Sequence, residues 1–229
     1  MLALREALHA AAADPTVLCV VLRGAGPMFS SGMDLGSLAE LAAAPEHLRP
    51  FRRVCLEAFN AAEEMPKPVV CEIHGACIGG AMELALACDL RVIAQDAVIG
   101  MPETRVGLIP DVGGSSRLPQ VVGLGRAKEL VMTGKLIGGE EAERIGLANR
   151  VAPADGLADA TQQLVDELLA CAPLAVGLAK RVLDASARPA LSTTLELEVS
   201  FQEQCARSED FAEGARAFAE KRQPEFSGR

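Results

Sequence analysis

The chain has 229 residues, half of them apolar and 23% charged, with a net charge of −9 and neither Trp nor Tyr. That length and composition suit one large buried core and lie far from those of a disordered chain. The acidic balance and the lack of aromatic stacking platforms exclude general nucleic-acid and anionic-membrane binding.

No apolar run reaches the length of a membrane span, and Met1 leads straight into an amphipathic pattern with no signal-peptide character. A cytoplasmic location is therefore expected. Cys19, Cys55, Cys71, Cys77, Cys88, Cys171 and Cys205 show no metal-ligand spacing and read as reduced thiols, mostly buried.

Leu4, Ala7, Leu8 and Ala11 recur at helical spacing, and Asp14-Pro15 ends that helix. Val17 to Leu22 is an apolar run that predicts a central strand, closed by the turn at Gly24 to Pro27. A loop of small residues from Met28 to Leu35 leads into a short helix that Pro45 ends. Leu48 to Met65 reads as a longer helix, stopped by Pro66 and Pro68. Val69, Val70, Cys71 and Ile73 then predict a buried strand, Gly75, Gly79 and Gly80 a glycine turn, and Ala81 to Cys88 a buried helix. Short strands are expected at Leu90 to Ala94 and Ala97 to Gly100. The Pro- and Gly-rich stretch from Met101 to Pro119 reads as a structured loop. Helices are expected at Leu124 to Met132 and Glu140 to Ile145, and a strand at Leu147 to Val151. From Leu157 the pattern is helical to the end, interrupted at Pro173, Pro189 and around Ser208.

The chemistry-bearing candidates are few. Glu83 is the one polar residue between Ala81 and Cys88, and Glu103 follows a strand at Pro102. Paired carboxylates can hold a water between them, one as base and one as acid. Alternatively, Glu83 caps its own helix while Glu103 pairs with Arg105 or Arg117. Asp111, between Pro110 and Val112-Gly-Gly, reads as the N-cap of a helix through Ser115 and Ser116. Asp34 is either another N-cap or part of a loop in which the Met33 N–H faces a ligand. His9, His47 and His74 have no partner pattern and read as structural. There is no nucleophile elbow and no phosphate loop, and Gly75-x-x-x-Gly79-Gly80 lacks the dinucleotide fingerprint.

Taken together, several motifs resemble the crotonase superfamily, the enoyl-CoA hydratase and isomerase family. They are Phe29-Ser-Ser-Gly-Met-Asp-Leu35, Lys67-Pro-Val69, Gly75-x-x-x-Gly-Gly-x-x-Glu-Leu-Ala85 and Cys88-Asp89. Pro102-Glu103, Gly107-Leu-Ile-Pro110, Gly113-Gly-x-x-Arg-Leu-Pro119, Thr133-Gly134, Ala142 to Val151 and Phe218-Ala-Glu-Lys-Arg222 continue the series to the C-terminus. The resemblance implies an α/β fold of the ClpP/crotonase type, a spiral of ββα units over residues 1–156. A helical oligomerisation and CoA-covering region over 157–229 would continue the same domain. It also implies a homotrimer or a hexamer, with subunit contacts expected at Leu164, Leu168, Val176, Leu195, Phe201 and Phe211. The family's N-terminal β-hairpin has no counterpart before the first helix here, which puts CoA affinity in question.

For the site, the resemblance implies an oxyanion hole from the backbone N–H groups of Met33 and Gly80. Glu83 and Glu103 would be the acid–base pair. Ser31, Met33, Asp34, Leu35, Gly79 and Gly80 would line the substrate, with Phe218 and Lys221 near the nucleotide end of CoA. No metal and no separate cofactor are expected, CoA being part of an acyl-CoA substrate. With both glutamates present, the resemblance favours an enoyl-CoA hydratase. An acid at the position of Asp111, a possible third acid, occurs in dienoyl-CoA isomerases of the family but also in some hydratases and in carnitinyl-CoA dehydratases. A catalytically weak acyl-CoA-binding member is the remaining alternative.

Overall fold

A computed structural model of the chain describes residues 1–34, 36–37, 48–106, 108–187, 209, 210, 213, 217, 220, 222 and 225–229. The sequence expectations at Leu35, the short helix before Pro45, His47, Leu195, Phe201, Cys205, Phe211, Phe218 and Lys221 lie outside them.

After helix α1 (Leu2–Ala13), strand β1 (Val20–Arg23) and helix α2 (Leu48–Glu63), the chain enters two consecutive strands, β2 (Val69–Ile73) and β3 (Ala76–Ile78). Helix α3 (Gly80–Ala87) follows, then β4 (Leu90–Ala94) and β5 (Val98–Gly100). Helices α4 (Gly114–Val122), α5 (Leu124–Thr133) and α6 (Gly139–Arg144) lead to β6 (Arg150–Ala152), α7 (Leu157–Leu169) and α8 (Pro173–Ser186). Strands β1, β2, β4 and β6 form one parallel sheet in that order, and β3 and β5 pair in a second. Each ββ step thus leaves one sheet for the other, as the ββα spiral requires.

All five residues of β2 are buried, and so are four of the five in β4, which pairs with it from Val70↔Leu90 to Ile73↔Ile93. Buried on both faces, these strands read as continuous apolar runs. Strand β1 corrects one expectation. It lies at the edge among the described strands, with alternating burial and Val21 39% exposed. Its valines satisfy a half-buried edge as well as a central position, so composition alone misplaces it.

Two other expectations change. The stretch from Gly75 to Gly80 is a strand between glycines rather than a plain turn, since β3 finds β5 as a partner. The stretch after Gly113 is helix α4, with Pro119 inside it, rather than loop. Its cap is Gly113 and not Asp111.

Buried polar residues tie these elements together. Asp89 accepts the Val69 N–H at 2.7 Å and the Lys180 ammonium at 2.8 Å. Lys180, 7% exposed, also donates to the carbonyls of Ala62 and Lys67, pinning α8 beneath α2 and β2. Burial pushes the Asp89 carboxyl up, against the pull of Lys180 and the Val69 N–H. Arg91, 5% exposed, donates to the carbonyls of Leu147, Ala85 and Cys88 and so closes the C-terminal end of α3.

Leu164 is buried in the core, and Leu168 is half-buried against it. Of the cysteines, Cys55, Cys71, Cys77 and Cys88 are buried free thiols, Cys19 is half-buried and Cys171 is exposed. No described helix is long and apolar enough to cross a membrane.

Candidate active site

The site grows from the start of α3. The loop before it runs alongside β3: Ser30 N–H donates to Ala76, and Ile78 N–H donates back to Ser30. The chain then turns at Gly32, whose φ of +89° and position suit only glycine. A β-carbon there would stand 2.5 Å from the Ile78 carbonyl oxygen and 3.5 Å from the Gly80 nitrogen. Met33 therefore follows directly on a residue packed against the Gly80 amide. Gly80 is the first residue of α3, so its N–H has no acceptor within the helix. Met33 is half-buried, while Ser31 and Asp34 are exposed. Asp34 Oδ1 accepts the Ser37 N–H at 3.1 Å, the N-cap geometry read from the sequence.

Glu83 is 2% exposed. It does not cap its own helix. Its Oε1 accepts the N–H groups of Val112 at 2.9 Å and Gly114 at 2.8 Å, so the carboxylate sits at the N-terminus of α4. Burial raises its pKa to about 7, against the downward pull of those two N–H donors, and the charges of Glu103 and Asp111 add to the rise.

Glu103 opens a 3₁₀ turn, Glu103–Val106, after β5. A β-carbon on Gly79 (φ +61°) would stand 3.0 Å from its Oε1, which brings this second acid to the turn that carries Gly80 and Glu83. Its Oε2 is buried with no hydrogen-bond partner. Burial raises the Glu103 pKa, opposed by its own backbone N–H and helped by the Asp111 charge. Neither arginine weighed as its partner is engaged with it. Arg105 Nε donates to the Thr133 carbonyl, and Arg117 is held by Glu63, Asn60 and Val112.

Asp111 is partly exposed. Its side chain is 36% exposed and lies 3.5 Å from Arg52 Nε, which also donates to the Asp111 carbonyl at 2.6 Å. His74 Nε2 lies 3.0 Å from the Gly26 carbonyl, in keeping with a structural role. A cleft of about 430 Å³ lies elsewhere, lined by Asp89, Arg117, Lys180 and Leu183 among others. Neither glutamate of the pair lines it.

The arrangement places two acids with raised pKa values and two candidate backbone donors around one glycine turn. Such a site can polarise a carbonyl while moving protons at adjacent carbons. Residues missed by sequence reasoning are Arg52, Asn60 and Glu63. Their only signal is long-range: all three lie on α2 and meet the Asp111–Arg117 segment in space.

A family model described as enoyl-CoA hydratase/isomerase matches residues 1–229. The chain is 34% identical over 227 residues to a crotonyl-CoA hydratase of Syntrophomonas wolfei, covering 99% of this chain and 86% of that protein. It is 34% identical over 228 residues to a 1,2-epoxyphenylacetyl-CoA isomerase of Escherichia coli, covering 99% and 87%. A crystal structure of an enoyl-CoA hydratase from Bacillus anthracis superposes with a TM-score of 0.94 at 35% identity, over 99% of this chain and 88% of that one.

Proposed function

The chain belongs to the enoyl-CoA hydratase/isomerase family, and within it we propose a hydratase: reversible syn addition of water across the 2,3 double bond of a 2-enoyl-CoA thioester. The observation that carries this reading is the unpartnered, buried Oε2 of Glu103 at the same glycine turn as Glu83. A buried carboxyl oxygen without a partner costs free energy unless a water or substrate fills the place.

In this reading the N–H groups of Met33 and Gly80 hold the thioester oxygen as enolate charge develops on it. Glu83 positions a water and takes its proton while the hydroxyl adds to C3. Glu103 delivers a proton to C2, and water is thereby divided over the two carbons. In the reverse direction the same groups exchange roles. Ser31, Asp34, Leu35 and Gly79 line the substrate, and Phe218 and Lys221 approach the nucleotide end of the CoA. Assembly into a trimer or hexamer through the C-terminal helices is part of the same proposal.

Loss of the enoyl-thioester ultraviolet band on mixing with a short-chain 2-enoyl-CoA tests the activity. The rising limb of the pH–rate profile should have a midpoint of about 7, because the base must be ionised and Glu83 carries the raised value, while ionisation of Glu103, which must hold the proton it delivers, sets a falling limb. A rate independent of pH across that range would remove Glu83 from the base role.

Gly114→Ala gives a steric test of the same pair. The added β-carbon would stand 2.5 Å from Met101 Sδ, 2.8 Å from Pro110 Cβ and 2.9 Å from Glu83 Cγ. Displacing Glu83 from its donors should lower kcat by about 10–100-fold, at a stability cost of about 1–3 kcal/mol.

Asp111 favours a second reading, because its charge acts on both glutamates. An isomerase or dehydratase of a dienoyl or carnitinyl thioester would use it as a third acid. Product analysis with several CoA esters decides between the two: hydration that survives Asp111→Asn supports the first reading. An acyl-CoA-binding protein of weak activity would bind in calorimetry without turnover.

A further inference from the structure

We propose that Arg117 is a positioning residue for Glu83, acting through the Val112–Gly114 turn, with Glu63 and Asn60 of α2 holding its guanidinium in place. The inference rests on the reading of Glu83 as the water-activating base.

The turn that supplies both donors to Glu83 contains two successive glycines, which bring no stiffness of their own. Its geometry must come from outside, and Arg117 supplies it. The side chain, buried with the residue 8% exposed, folds back over the turn at the start of its own helix. Nη1 donates to the Val112 carbonyl at 3.2 Å, the group lying between the Val112 and Gly114 N–H donors. The guanidinium also fills the space beside Gly113, where a β-carbon would stand 1.7 Å from Nη1. Its other edge is committed to α2: Nε and Nη2 reach the two oxygens of Glu63 at 3.1 and 2.7 Å, and Nη2 reaches Asn60 Oδ1 at 2.9 Å. A bridge between two helices needs only the bidentate carboxylate pair. The remaining donor and the flat contact over Gly113 are spent on the turn itself.

The charged and titratable groups facing Glu83 are the Glu103 and Asp111 carboxyls, which raise its pKa, and the Cys55 thiol of α2. The Cys77 thiol of β3 approaches the neighbouring Met82. Asp111 has Arg52 at 3.5 Å. Against these, the Val112 and Gly114 N–H groups pull downward. Loosening the turn removes that pull, so the base becomes harder to ionise.

The experiment is an isotope-edited infrared titration of Glu83, taken as the difference from Glu83→Gln, in the parent chain, Arg117→Lys and Glu63→Gln. Lysine keeps a cation near Glu63 but cannot span Glu63, Asn60 and Val112 together. The parent midpoint is expected near 7. Arg117→Lys should move it up by about one pH unit, with a smaller move in the same direction for Glu63→Gln. In hydration assays kcat should fall about fivefold at neutral pH and recover as the pH is raised, with KM for the enoyl thioester unchanged. A structural role alone would lower activity through loss of folded protein and leave the midpoint where it was.

Folded Arg117→Lys and Glu63→Gln chains with the parent midpoint would overturn the inference and leave the hydratase reading intact. If Arg117→Lys does not fold, Glu63→Gln decides alone. Parental hydration by Glu83→Gln would overturn the base assignment instead, while the infrared midpoints would still decide whether Arg117 governs Glu83.

Discussion

Replacing Glu83 by Gln is expected to lower hydration turnover by about 10³-fold with little change in KM, since general acid–base groups contribute in that range. Glu103→Gln should cost a similar factor, and the double replacement little more than either, because one proton transfer fails without the other. Parental rates in either single variant would refute the assignment.

The Glu83 replacement should also alter stability, in the opposite sense. In the folded chain the carboxyl has a pKa of about 7, above the ordinary carboxyl range. The folded state therefore binds this proton more tightly than the unfolded chain does. The stability it contributes is fully present in acid, below the unfolded value, and is lost as pH rises through about 7. The loss amounts to about 3 kcal/mol at most. Glu83→Gln should then melt about 6 °C above the parent at about pH 8 and converge with it in mild acid. Coincident melts at both pH values would mean that burial is not what raises Glu83. The site thus keeps a charge where the fold disfavours one.

The second large effect concerns α8. Lys180→Met removes the ammonium from Asp89 and from the carbonyls of Ala62 and Lys67, leaving a largely buried carboxylate with only the Val69 N–H as donor. Breaking one side of such a pair costs about 3–5 kcal/mol. A fall in the urea midpoint at unchanged slope would report it. Adding Asp89→Asn should restore much of the loss, because asparagine is neutral and its carbonyl can still accept the Val69 N–H. If Lys180→Met is silent, the pair makes no net contribution.

Much of the fold was legible because local pattern and tertiary role agree in β2, β4 and α3. The apolar runs at Val69 and Val92 are buried in the sheet, and Glu83 stands out because nothing around it in the chain is polar. Legibility stopped where partners are distant. The valines of β1 fit an edge as well as a centre, and Ala76 to Ile78 becomes a strand only once β5 lies beside it. Pro119 and two glycines disguise α4, whose N–H groups find their acceptor in Glu83, far back in the chain. For the same reason the acid pair could be named from sequence while its supports could not. Glu63 and Arg117 are 54 positions apart, and no periodicity links them.

Arg91 closes one end of α3, and the packed turn at Gly79 starts the other. Five of the helix's eight residues, apart from Glu83, are buried apolar side chains. Beyond its first turn, where the Gly80 N–H has no acceptor in the helix, a segment so enclosed offers its amides little local route to solvent, and their hydrogen exchange should follow global unfolding. The proposed base therefore rides on a segment that opens only with the whole fold, and its aim is left to the Val112–Gly114 turn that holds its carboxylate.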